Sequence, residues 1–461
     1  MSSISYDIAV IGAGPAGMAA AVQACRLGLS VAILDDQPAA GGQILRGINR
    51  PSTLNYEKWG HPLSQAFLAS GATHLAGAAV WAREESRLLY SIGGSARSLN
   101  AHALILATGS MERPAIVPGN SLLGVVTVGA LQALIKGSGC VPEGRFVLVG
   151  NGPLLLLCAS QLVEAGARPE AIIQTTPASR FLNALPLAIG LLSDPKFLVD
   201  GLRLMARVKR LGIPLYSGAR DISIIGRDHA EAIQFRTKDR TIEMPVDLVA
   251  LHDGVVPNDN LAVSFGANTT WNSRLQCYEM ETQGATKVAG LDGVWAAGDT
   301  VAIHGGYQAV LSGKLAALEA AFSLGRIDAK THGMAIRPLL KQRKRQLAAR
   351  RFVDSVYAPT LLPTLASDDA MLCRCEEVTV GTIRRKIEQG NTGTRAIKVT
   401  TRCGMGPCQG RQCTVSLTSL LASELPLATL ERPSLRFPAR PITVAELAES
   451  HKGMQSTGSD A

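Results

Sequence analysis

Aromatic residues make up only 4% of this chain and charged residues only 18%, against 46% hydrophobic. So little charge beside 46 glycines suits a compact nucleotide-binding enzyme with two or three cores better than a disordered chain. The scarcity of aromatics bears on the net charge of +9. Arg337, Lys341, Arg343, Lys344, Arg345, Arg350 and Arg351 gather in one stretch without aromatic interleaving, so base stacking on nucleic acid has no support. A solvated helix face accounts for them, and a docking patch for an acidic partner is the sharper alternative.

Long hydrophobic runs are missing too. The greasiest stretches, 154–158 and 185–192, fall far short of the roughly 20 residues that cross a bilayer. Met1–Asp7 does not lead into the apolar segment of a secretory leader. The expected location is the cytoplasm, with attachment at the inner membrane only through a partner. The nine cysteines are odd in number, and with no export signal disulfides are not expected. Five of the nine fall between Cys373 and Cys413, which calls for a separate explanation.

Along the chain, Asp7–Ile11 reads as a short strand, Pro15–Leu27 as a helix with small residues on one side, and Ser30–Leu34 as a second strand. This βαβ unit implies a parallel sheet. A second unit starts at Arg145–Val149, continues through a helix to about Ala165 and reaches a strand at Ala171–Gln174. A further strand, Gly293–Ala297, precedes a helix over Gln308–Leu324. Pro177–Pro214 is Leu-rich with helical spacing, as either surface helices or a subunit contact. His332–Leu365 reads as a basic helix and a Pro-containing connector. A short helix, Val444–His451, is expected in the tail, and Gly453–Ala461 should be mobile.

Gly12-Ala-Gly14-Pro15-Ala16-Gly17 stands between the first strand and helix. Gly12 permits the tight turn, Gly14 lets the backbone approach a pyrophosphate, and Gly17 lets helix and strand pack closely. The phosphates then meet free N–H groups at the positive end of a helix. Asp35 ends the next strand and can accept hydrogen bonds from an adenosine ribose. With Gly41-Gly42-Gln43, Ala107-Thr108-Gly109 and Gly293-Val-Trp-Ala-Ala-Gly298-Asp299, this order of elements resembles the flavoproteins with two dinucleotide-binding domains, the glutathione-reductase-like class. The resemblance implies an α/β fold and FAD, with Asp299 holding the ribityl chain and Ala107-Thr108-Gly109 at the crossover between domains.

The second unit departs from that pattern. Gly150-Asn-Gly152-Pro-Leu-Leu155 replaces the third glycine by Leu155, which should push helix from strand, and Gln174 stands where an acid or Arg would select NAD or NADP. NAD(P) binding is therefore not expected. Disulfide reductases of the class carry a redox pair beside the flavin, whereas Cys25, Cys140, Cys158 and Cys277 are isolated.

The late thiols read Cys373-Arg-Cys375-Glu-Glu and Cys403-Gly-Met-Gly-Pro-Cys408-Gln-Gly-Arg-Gln-Cys413. Thiolates this dense in a reducing compartment mean a metal or a cluster. Thr379 and the spacing of Val380–Ile387 predict a capped helix between the pairs. Spacing alone leaves iron–sulfur and structural zinc evenly matched. The residues of both segments resemble the bacterioferritin-associated-ferredoxin-like [2Fe–2S] module, and that resemblance implies Cys373, Cys375, Cys408 and Cys413 as ligands. Cys403 is an extra thiol able to replace one of them.

A flavoprotein body followed by this module resembles the alpha subunits of heteromeric amine dehydrogenases: opine oxidase, D-hydroxyproline dehydrogenase and hydrogen cyanide synthase. Leu251-His-Asp-Gly-Val-Val-Pro-Asn258, Gly41-Gly42-Gln43-Ile-Leu-Arg46 and Arg440-Pro-Ile-Thr-Val-Ala-Glu-Leu447 add to the likeness. It implies an FAD-binding domain over 1–115 and 285–330, a second nucleotide-binding-like domain over 116–284, a basic connector over 331–369, the [2Fe–2S] module over 370–425 and a tail over 426–461. It also implies a D-amino-acid-oxidase-like FAD beta subunit that oxidises an amino acid, imino acid or opine, a small iron–sulfur subunit, an FMN at the subunit interface, and a respiratory or dye acceptor. No catalytic base announces itself, and His252 and His304 read as structural. The alternatives are a self-contained NAD(P)H-dependent flavin/iron–sulfur reductase and a non-enzymatic iron–sulfur partner.

Overall fold

The computed structural model describes residues 4–48, 56–238, 240–426 and 430–455. Of the tail end expected to be mobile, Gly453–Ala461, residues 453–455 close the helix Val444–Gln455, and residues from 456 onward lie outside the described ones. Strand β1 (Ser5–Ile11) is central to a nine-stranded sheet, flanked in parallel by β2 (Val31–Asp35) and by the strand Ser95–Leu106. Val294–Ala296, far away in sequence, joins the same sheet in parallel beside Ser95–Leu106. The inner strands are apolar on both faces because both faces are covered, as parallel sheets require. Ile8, Val10, Ile33 and Ile105 look into one core, and Ala9, Leu34, Leu104 and Leu106 into the other.

Helix α1 (Pro15–Arg26) is almost entirely small residues, which lets a second helix, Gly306–Ser323, lie against it at backbone distance. A Cβ on Gly313 would run into the Ala16 carbonyl, so only glycine closes this contact. Ala20, Ala316, Ala317 and Ala320 fill the interface.

The second sheet is wholly parallel, in the spatial order Leu215–Tyr216, Ala171–Gln174, Phe146–Asn151, Leu248–Asp253 and Val125–Thr127. The order reverses between Phe146–Asn151 and Leu248–Asp253, which opens a crevice at their carboxyl ends. The Leu-rich region folds as the helix Ala178–Ala184, a 3-10 stretch Leu185–Ser193 and the helix Pro195–Arg210. Ser193 Oγ donates to the Arg345 carbonyl at 2.9 Å, tying the 3-10 stretch to the basic helix Ala329–Val356, while Leu182, Leu185, Ile189 and Leu192 stay exposed.

The cysteine segment forms a small layer of its own. Met371–Cys373 pairs with Val378–Thr379, and the helices Val380–Glu388, Thr394–Thr401 and Cys413–Glu424 pack around Leu372, Ile383, Ile397 and Leu417. Thr379 caps its helix, accepting from Thr382 N at 3.2 Å. Ile116 of the body is part of the same core, so the layer is fused to the body.

Candidate functional site

The turn after β1 is built for a close approach. Gly12 has φ +103°, and a Cβ there would enter the Ala107 carbonyl; a Cβ on Gly17 would enter the Gly12 carbonyl. Gly14 and Gly42 face each other so closely that a Cβ on Gly42 would stand 2.9 Å from the Gly14 Cα. The N-terminus of α1, started by Pro15 and Ala16, has no side-chain cap, so its N–H groups are open to an anion. Asp35 closes β2 with its carboxylate accepting from Ala13 N and, at 2.8 Å, from Gln37 N. Burial pushes its pKa up and those two bonds oppose the shift.

Ala107, Thr108 and Gly109 meet the Gly298–Thr300 turn. Gly109 N donates to Thr300 Oγ1 at 2.7 Å, and Thr108 Oγ1 donates to the Asn258 carbonyl at 2.6 Å. Asp299 Oδ1 accepts from His304 N at 2.8 Å and Gly305 N at 2.9 Å. Gly298 sits against Ala16, where a Cβ would approach the Ala16 methyl to 2.9 Å. The structure thus brings Gly12–Gly17, Gly42, Ala107–Gly109 and Gly298–Asp299 to one side of the first sheet. The Gln43 carbonyl accepts from Lys136 Nζ at 3.1 Å, and burial draws that ammonium down to about 8. His304 is drawn down to about 4 by burial and then by Arg350 and Arg343, so its imidazole is neutral at physiological pH. Thr300 and Lys136 carry no motif of their own; only their neighbours Asp299 and Gln43 gave a signal in the sequence.

At the second glycine turn, Leu155 is wholly buried beside Phe146 and Leu148, inside the apolar layer between its helix and the sheet. A Cβ on Gly150 would enter the His252 carbonyl, and His252 Nδ1 pairs with Glu112 Oε1 at 2.6 Å. Cys158 and Cys277, both buried, are pushed up to about 12 by desolvation, which leaves them unreactive thiols.

The five late cysteines fall into two neighbouring sets. The sulfurs of Cys373, Cys403 and Cys413 all lie within 4.8 Å of one another and all three residues are buried. Cys375 and Cys408 lie nearer the surface, and burial and then its neighbour Cys408 act on the Cys375 thiol, whose pKa is raised. The hydrogen bonds of Cys403 and Cys413 hold the Cys373 thiol well below its ordinary value, and the same bonds to Cys373 push the Cys403 and Cys413 thiols up, so the trio shares one negative charge centred on Cys373. Glycines let the loops close: a Cβ on Gly406 would enter the Cys375 Cβ, and Gly404 and Gly410 have φ +86° and +80°. Arg402 Nε bonds Glu376 Oε2 at 2.7 Å and clips the two cysteine segments together.

Comparison with known proteins places these features. Residues 6–323 match the family of pyridine nucleotide-disulphide oxidoreductases, and residues 371–423 match the BFD-like [2Fe-2S] binding domain. Among opine oxidase A subunits, that of Agrobacterium tumefaciens (strain Ach5) is 39% identical over 96% of this chain and 91% of its own length. Hydrogen cyanide synthase subunit HcnB of Pseudomonas aeruginosa is 30% identical over 88% of this chain and 90% of its own. Among solved structures, L-proline dehydrogenase from P. horikoshii superposes with a TM-score of 0.68 over 96% of this chain and 79% of its own, at 20% identity. Thioredoxin reductase of T. acidophilum covers 69% of this chain and 99% of its own, with a TM-score of 0.50 at 21% identity. The two structures speak to the fold alone.

Proposed function

The chain belongs to the pyridine nucleotide-disulphide oxidoreductase family and, within it, to the group of opine oxidase A subunits; from that premise we propose that it relays electrons for a partner subunit that oxidises the substrate's C–N bond. The chain is a flavin oxidoreductase of a multi-subunit dehydrogenase, with FAD and a [2Fe–2S] cluster as its redox groups. The partner in this reading is a D-amino-acid-oxidase-like FAD subunit, and the substrate class is an opine, which the names of the relatives favour over glycine or hydroxyproline.

When bound, FAD accepts electrons in pairs and releases them singly, while the cluster takes one at a time. The chain's own residues position both. Gly12, Gly14, Pro15, Ala16, Gly17 and Asp35 would hold the adenosine diphosphate half of FAD. Gly42, Gln43, Ala107, Thr108, Gly109, Gly298 and Asp299 would hold the flavin half. Cys373, Cys375, Cys408 and Cys413 would ligate the iron, with Cys403 as the spare thiol.

One observation carries the proposal: a turn where Gly12, Gly17 and Gly42 leave no room for a Cβ and a buried set of three sulfurs within 4.8 Å stand on the same chain. Expressed alone, the chain should retain flavin and iron yet leave opines unoxidised; co-expressed with the beta subunit it should support dye-linked turnover. Opine oxidation by the isolated chain would contradict it.

A further inference from the structure

The segment that links the long basic helix to the cysteine layer crosses the second sheet at the carboxyl ends of its strands. Asn151, ending Phe146–Asn151, donates through Nδ2 to the carbonyls of Ala358 at 2.7 Å and Tyr357 at 3.2 Å. Thr175, one residue past Ala171–Gln174, has its Oγ1 2.6 Å from Thr360 Oγ1. Asp253, ending Leu248–Asp253 and 1% exposed, accepts from Thr360 N at 2.8 Å, Thr360 Oγ1 at 3.0 Å and Leu361 N at 3.0 Å. Arg180 donates to the carbonyls of Ala358 and Pro359. Leu361 then sinks into the core, 8% exposed, and its carbonyl accepts from Ile116 N at 3.2 Å.

In a doubly wound sheet this is the track of a dinucleotide. The pyrophosphate lies at the glycine turn after the first strand, the ribose at the end of the next, and the ligand fills the crevice where strand order reverses. Here residues 357–361 hydrogen-bond to the end of the first strand, to the residue past the second and to the end of the strand across the crevice. The polar groups that would meet a ligand are already engaged by the chain itself.

We infer that residues 357–361 form an internal strap that occupies the second dinucleotide cleft and excludes nicotinamide dinucleotides, fixing the partner subunit as the electron donor. The inference rests on the electron-relay reading above. It adds a reason stronger than the missing glycine: Leu155 packs without disrupting the domain, whereas the strap and a dinucleotide cannot share the crevice. Because Ile116 belongs to the cysteine layer's core, the same segment also secures that layer.

The test uses the full chain with its flavin and cluster. Hydrogen exchange is followed over residues 357–361 with and without NADH, and NADH binding is measured by calorimetry. A variant carries Tyr357→Gly, Ala358→Gly, Pro359→Gly and Thr360→Gly. The Thr360 and Leu361 amides of the native chain should exchange slowly and be indifferent to NADH. The variant should bind NADH at least about tenfold more tightly, since apparent affinity scales with the fraction of open clefts. Exchange at the rate of a free loop, or NADH binding by the native chain as tight as by the variant, would overturn the strap. Should the variant shed its flavin, Asp253→Asn takes its place, and exchange at 357–361 must then quicken; unchanged protection would equally sink the inference. Opine turnover with the beta subunit reads on the relay alone, so the two can fail separately.

Discussion

The sulfurs of Cys373, Cys403 and Cys413 form one buried group, although Cys403 matched no position of the ferredoxin-like module in the sequence. A cluster needs four thiolates and five are present. In the ligand set proposed above, Cys375 and Cys408 join Cys373 and Cys413, and Cys403 is the spare. Cys403→Ala should therefore keep iron and cluster absorption, whereas Cys373→Ala, Cys408→Ala and Cys413→Ala should each lose them. Iron and sulfide analysis of the purified variants checks this, and iron lost from Cys403→Ala but kept in Cys413→Ala would reverse the assignment. His304 makes a second prediction. Burial and two arginines lower its pKa from 6.5 to about 4. The folded state thus prefers the neutral ring; this contribution is complete above about pH 6.5 and is lost as pH falls toward 4. At 1.36 kcal/mol per unit the loss is about 3 kcal/mol at most. In urea titrations between about pH 7 and pH 5, His304→Gln should lose distinctly less stability than the native chain. Glycines were legible as site residues because a missing side chain has a definite steric purpose. His304 was not, since its neighbours Arg343 and Arg350 lie some forty positions away.

At the scale of elements, the flavin-side cradle depends on two helices meeting at Gly313 and Ala16. Gly313→Val would force α1 and Gly306–Ser323 apart and displace Ala16 at the head of the glycine turn. Overpacking of this kind costs about 1–3 kcal/mol, and it should lower flavin occupancy as well as the melting temperature; a variant of unchanged occupancy would detach the cradle from the helix contact. Period and punctuation made the βαβ units readable: Val31–Asp35, Phe146–Asn151 and Ala171–Gln174 lie close to their expected places. The antiparallel strands were not readable. Arg220–Ile225, Ala232–Thr237 and Arg240–Pro245 are short, partly exposed and stabilised by one another, with Lys238 and Asp221 in left-handed conformations that non-glycine residues seldom announce. The strap was read only as a proline-containing connector, because Thr360 meets Asp253 across 107 positions and Asn151 meets Ala358 across 207. No local pattern encodes such a pairing.

For the whole molecule, the resemblance of the motifs to heteromeric amine dehydrogenases stands with the family match over 6–323, the [2Fe-2S] domain match over 371–423 and the full-length likeness to opine oxidase A subunits. Among the described residues no helix is long and apolar enough to cross a membrane. A body and a cysteine layer that share Ile116 in one core are suited to passing electrons within a fixed frame. The colour of the chain is the most direct test of its two redox groups. Purified anaerobically without partners, it should show flavin bands with iron–sulfur shoulders, and FAD, iron and sulfide should all be recovered from it. A colourless chain that retains neither FAD nor iron would contradict the account at its base.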